Sequence, residues 1–139
     1  MPQPTSTNDP ALEGVKFHSH WLLRIAWGSV FIYMGIDKFM GGGLQEFATA
    51  MELPVFAAFL VALAEIAAGL LVLLGPFTSG WITRLGALAA IPVLLGAIFI
   101  AHWGQWHFMA TPDFPMGGMM FQATLLFLGI YLLIRGNDI

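Results

Sequence analysis

A carboxylate stands alone at the centre of Val55–Leu74, a run of 20 residues in which Glu65 is the one polar side chain. An ionisable group at bilayer mid-depth costs about 2.5–3.5 kcal/mol on insertion scales for Asp, unless it is paired or protonated. Glu65 therefore predicts a partner. Arg24 lies about five residues to one side of the middle of the preceding apolar run, roughly 7–8 Å at 1.5 Å per residue, a distance that a guanidinium spans. The expected pair is Arg24–Glu65. Such a pair is either packing glue between helices or the electrostatic floor of a site, where a guanidinium keeps a carboxylate charged.

A second group of reactive side chains gathers at the far ends of two apolar runs: Tyr33, Asp37 and Lys38, then His102, Trp103, Trp106 and His107. Tyr33 and Asp37 are four apart and share a helical face. Asp37 and His102 are the candidates for proton exchange, whereas the tryptophans suit an interfacial aromatic belt and either histidine can be simply solvated. Met34, Met40, Met109, Met116, Met119 and Met120 fall at the same level. Thioether and imidazole suit Cu(I), but MGGMM has no regular ligand spacing and Met is a common gap-filler, so copper handling is a minor alternative and no metal site is expected. The absence of cysteine excludes a thiol relay, a covalently attached haem and a cysteine-ligated iron–sulfur cluster. A haem shared by His18 or His20 with His102 or His107 is excluded because the two pairs lie on opposite sides of about 30 Å of hydrocarbon.

The elements that must position these residues follow from composition. With 58% hydrophobic and 9% charged residues among 139, and a mean hydropathy of +0.81, the chain reads as an integral membrane protein. Four apolar segments at about 19–39, 55–74, 82–101 and 117–134 each approach the ~20 residues that a helix needs to cross a bilayer. The runs are continuous rather than alternating, which excludes a membrane barrel and predicts an all-α, four-helix transmembrane bundle over residues 19–139. Residues 1–18, with Pro2, Pro4 and Pro10, read as a flexible tail without a cleavable signal peptide, so the first span both targets and anchors the chain.

Between the first two spans, Gly41–Gly43 stop one helix and Pro54 precedes the next. Leu44, Phe47 and Met51 recur at helical spacing between them, predicting a short amphipathic helix at the interface. Gly75-Pro76 and Ser79-Gly80 force the second and third spans into a hairpin. Pro92 frees a carbonyl in the third span and either opens a cavity or bends the helix. Lys16, Arg24, Arg84 and Arg135 fall on one side of the bilayer and Lys38 on the other, which places both termini in the cytoplasm. A net charge of −3 with scattered basic residues excludes nucleic-acid binding. Arg24, Gly28, Phe31 and Gly35 share one face of the first span, and Ala58, Ala62, Glu65 and Gly69 one face of the second. Small residues at this spacing let two backbones approach closely. No GxxxG spacing occurs, and a homo-oligomer is left open.

The segments LLRIAWGSVFIYMGIDKF (22–39), AEIAAGLLVLLG (64–75) and TRLGAL (83–88) resemble the DoxX/DoxD family of small four-helix bacterial inner-membrane proteins, over about 110 residues from Trp21 to the last span. The matching positions are Arg24, Gly28, Phe31, Gly35, Lys38, Glu65, Gly69, Gly75 and Arg84. The resemblance implies the membrane subunit of a quinone-linked oxidoreductase assembly: DoxD-type proteins serve a thiosulfate:quinone oxidoreductase with a second, soluble subunit, and DoxX-type proteins associate with thiol- or superoxide-handling enzymes. Quinone is the cofactor expected on this reading, with Arg24, Tyr33, Lys38, Glu65 and Arg84 as its candidate binding residues and membrane redox subunits as partners. The pattern departs at Met34, where many members carry His. The competing expectation is a non-catalytic accessory subunit packed within a larger respiratory or photosynthetic complex.

Overall fold

The computed structural model describes residues 9–139, and these are helical without strands. Helix α1, Pro10–His18, occupies part of the segment expected to be a flexible tail. Its start is well determined: Asp9 Oδ1 accepts the Ala11 N–H at 3.0 Å, Pro10 supplies the preset φ of a first helical position, and Lys16 reaches Glu13 one turn back at 3.0 Å. The first eight residues of that expected tail lie outside the described residues. Ser19 then donates its hydroxyl to Lys16 O and α2, His20–Asp37, follows.

The left-handed backbone at Gly41 and Gly43 turns the chain after α2. Helix α3, Gly43–Met51, is amphipathic as expected: Leu44, Phe47, Ala48 and Met51 face the protein, and Gln45, Glu46 and Thr49 face out. Pro54 precedes α4, Val55–Leu74, whose bounds coincide with the second apolar run. A 3₁₀ turn at Gly75–Phe77 leads into α5, Gly80–Gly96, which continues as a π-helical turn over Ala97–His102. Helix α6, Met120–Arg135, closes the fold.

Successive long helices pack side by side, α2 on α4, α4 on α5 and α5 on α6. Glycines set the closest approaches: a Cβ at Gly69 would sit 2.9 Å from Gly28 O and 2.6 Å from Ile32 Cγ1, and one at Gly86 would sit 3.0 Å from Ala68 O. Trp27 ties three helices together, donating its indole N–H to Ala68 O on α4 at 3.1 Å and lying against Gly129 on α6. Around it Phe31, Val72, Leu94, Leu125 and Leu132 form the core.

The opposite faces are equally apolar. Leu22, Phe56, Leu70, Phe99, Phe127 and Ile134 point away from the protein. Exposed apolar surface on this scale marks an interface with lipid or protein. Two helical stretches, Val55–Phe77 and Gly80–His102, are long and apolar enough to cross a membrane; α6 is apolar but shorter.

Candidate functional site

Arg24 is 1% exposed, and no carboxylate among the described residues pairs with it. The expected Arg24–Glu65 pair is therefore corrected. The helix faces were as expected, since both residues are buried where α2 meets α4, but the antiparallel register sets Arg24 beside Val72. That is seven residues from Glu65, about 10 Å along the helix.

What holds the cation is a basket of neutral acceptors. Pro76 has no N–H to offer Val72 O, the carbonyl four residues before it, and Arg24 takes that carbonyl at 2.8 Å. The same nitrogen reaches Thr83 Oγ1 at 3.0 Å, the other terminal nitrogen reaches Asn137 Oδ1 at 3.0 Å, and Nε donates to His20 Nδ1 at 3.0 Å. Asn137 in turn accepts the Thr83 hydroxyl at 2.6 Å and donates to Gly75 O at 3.0 Å. The negative end of the α4 dipole adds to the compensation of the guanidinium. This arrangement latches the chain's last residues against the α4–α5 turn.

Glu65 has a different partner. Lys38, the residue that caps α2, folds its side chain back so that Nζ meets both carboxylate oxygens, at 2.8 and 3.0 Å. The carboxylate side chain is 2% exposed and the lysine 14%, so this ion pair is largely removed from solvent. Nζ also lies 3.4 Å from Met34 O and 4.8 Å from the centroid of the Phe47 ring on α3, a cation–π contact that covers the pair.

The pair forms part of the wall of a cavity of about 350 Å³ at this end of the fold. Its walls are mostly apolar, from Met34, Phe47, Val61, Ile100 and Met116 among others, with four polar residues: Lys38, Glu65, His102 and Gln122. A pocket of ~300–1,000 Å³ with apolar walls and a few convergent polar groups is the ordinary form of a small-molecule site. His102 is carried by the π turn, a wide turn that recurs at functional sites. Its Nδ1 lies 3.1 Å from Gly117 O and its Nε2 lies 3.2 Å from Gln122 Nε2. A carbonyl only accepts, so these partners assign the proton to Nδ1 and leave Nε2 to accept from the amide.

The structure thus brings Lys38, Glu65 and His102 together at one cavity and sets the other expected site residues elsewhere. Tyr33 is 70% exposed on the outer face of α2, and Asp37 is exposed beside Lys38; neither lines the cavity. Arg84 lies at the opposite end of α5, where it donates to Leu133 O at 3.1 Å and Ile134 O at 3.3 Å and stacks over the Trp81 ring. It satisfies carbonyls that the end of α6 leaves free.

Two glutamines complete the site without having been expected there. Gln122, the lone amide of the last apolar run, faces His102. Gln105 organises the loop before α6: its amide donates to His107 O and Met109 O at 3.0 and 2.7 Å, and its oxygen accepts the Thr111 hydroxyl at 2.8 Å. The loop is so tightly folded that a Cβ at Gly118 would collide with the backbone oxygens of Gln105 and His107. That fold fixes Gly117, the carbonyl partner of His102.

Residues 20–103 match the family model described as DoxX. The chain is also 32% identical over 117 residues to the protein named "Putative oxidoreductase CatD" from Bacillus subtilis (strain 168), an alignment that covers 84% of this chain and 78% of that protein. No solved structure matches the chain. The family match includes Arg24, Lys38, Glu65 and His102 and stops short of Gln122.

Proposed function

The chain belongs to the DoxX family of membrane-associated proteins, and from that premise we propose that it is the membrane subunit of a quinone-linked oxidoreductase assembly, with the quinone ring seated in the Lys38–Glu65–His102 cavity. In this reading α2, α4, α5 and α6 are four transmembrane helices in the bacterial inner membrane, both termini are cytoplasmic, and the cavity lies toward the outer side. The apolar faces turned away from the core support the bilayer setting.

The observation that carries the reading is one apolar cavity with a buried ion pair and a histidine–amide pair both in its walls. A quinone ring is apolar with two carbonyl oxygens, and such a cavity offers it apolar surface and two polar anchors. Lys38 Nζ has three protons, two of which go to Glu65; the third, only loosely held by Met34 O, is free to turn to a ligand oxygen. Glu65 holds that ammonium in place. Phe47 screens it from solvent. His102, with Nδ1 held by Gly117 O and Nε2 by the Gln122 amide, fixes that amide in the cavity wall. Bound quinone supplies a carrier of two electrons and two protons, and the electrons come from a partner's redox centre. CatD bears an oxidoreductase name, which agrees with this class of chemistry.

The test is gentle-detergent purification from native membranes with mass spectrometry of co-purifying proteins and of extracted lipophilic cofactors. Stoichiometric quinone, lost on Lys38→Met, is the expected result. Quinone content unchanged by Lys38→Met and by Glu65→Gln, in a chain found only within a larger complex, would instead identify a structural accessory subunit.

A further inference from the structure

One buried side-chain atom among the described residues lacks a hydrogen-bond partner: Gln122 Oε1. Its amide nitrogen is engaged by His102 Nε2, and His102 is itself fixed by Gly117 O through Nδ1. The chain of partners therefore runs in one direction, from the Gly117 carbonyl through the imidazole to the amide, and ends on an acceptor with no donor. Reversing the amide would place its oxygen against an imidazole nitrogen that carries no proton, so the observed orientation is the one that satisfies His102. A buried acceptor left unpaired is destabilising until something donates to it. Gln122 is part of the cavity wall, but Oε1 itself is closed to solvent, so a donor from the cavity reaches it only as the Gln122 side chain shifts to meet a ligand.

We propose that Gln122 is the specificity-determining residue of this cavity and selects a ligand that presents a hydroxyl, so that the hydroquinone form binds in preference to the quinone. This rests on the quinone reading above and adds to it a direction of preference. The two forms have the same ring and tail and differ at the oxygens: a quinone carbonyl only accepts, whereas a hydroquinone hydroxyl donates to Gln122 Oε1. At the other polar anchor, the Lys38 ammonium donates to either form, since a hydroxyl oxygen accepts as a carbonyl does. Discrimination therefore falls on the His102–Gln122 side. A site built to receive a hydroxyl rejects an analogue lacking it, because its own polar group then stays unpaired.

The test is equilibrium binding of a short-chain benzoquinone and of its hydroquinone, kept reduced under argon, to the purified full-length chain in nanodiscs. Binding is followed by quenching of tryptophan fluorescence and by the 15N shifts of His102. The wild-type chain is expected to bind the hydroquinone roughly tenfold more tightly or better. In Gln122→Leu the ratio should fall to about one, chiefly through weaker hydroquinone binding. His102 15N shifts in Gln122→Leu show whether the Nδ1 proton is still held by Gly117, which separates loss of the ligand's acceptor from collapse of the site. Equal binding of the two forms by the wild-type chain, or a ratio that Gln122→Leu leaves unchanged, would overturn the proposal while leaving the quinone reading in place. Binding of neither form would overturn both.

Discussion

Replacing Lys38 by Met removes the ammonium that meets both oxygens of Glu65 and leaves a carboxylate with 2% of its side chain exposed. An exposed ion pair would contribute about 0–1 kcal/mol, but here the carboxylate is buried and the lysine only 14% exposed, and breaking a buried pair by removing one partner costs about 3–5 kcal/mol. Most of that cost is the stranded charge rather than the lost contact. The double variant Lys38→Met/Glu65→Leu, which removes both charges and keeps the volume apolar, should therefore be more stable than Lys38→Met alone. The expected coupling between the two positions is about 2–3 kcal/mol, near the upper end for interacting residues. The assay is reversible unfolding in mixed micelles titrated with SDS, with tryptophan fluorescence as the signal. Costs that add to within about 0.5 kcal/mol would refute the claim that the two side chains stabilise each other.

Other perturbations follow from the same contacts. Asn137→Ala deletes the acceptor shared by Arg24 and Thr83 and the donor to Gly75 O, and should cost about 1–3 kcal/mol in the same titration, with Asn137→Asp losing less. Gly69→Val drives side-chain atoms into Gly28 O and Ile32 and should cost about 1–3 kcal/mol by forcing α2 from α4. Gly118→Ala places a methyl against two backbone oxygens, so limited proteolysis should cut residues 103–119 faster while circular dichroism shows the helices intact.

The sequence alone told much about the helices and less about which polar groups meet. The apolar run around Glu65 set α4 to the residue, and the glycines and Pro54 marked both ends of α3's segment, because backbone chemistry there is local. Register decides which cation meets Glu65. Face periodicity put Arg24 and Glu65 at one interface, but depth along it is fixed by Gly28 against Leu73 and Gly35 against Ala62 and Ile66. Those contacts bring Lys38, not Arg24, within side-chain reach of the carboxylate. One clue to the true Arg24 site was present in the chain: Pro76 necessarily frees Val72 O, a buried acceptor in want of a cation. The helix at Pro10–His18 was likewise legible in its Asp9-Pro10 start but outweighed by the prolines before it. Gln122 and the Gln105 clamp were not, since each acts through partners that the fold alone brings together.

If quinone binds in the cavity between the Lys38–Glu65 pair and His102, a photoreactive azidoquinone seated there will label the cavity walls. After illumination of the purified chain in nanodiscs, label is expected on cavity-lining peptides containing Met34, Ala57–Val61 or Val93–Ala101, with competition by unlabelled quinone and loss of label in Lys38→Met. Label confined to the outward apolar faces around Leu22, Leu70 or Phe127, insensitive to competitor, would contradict it.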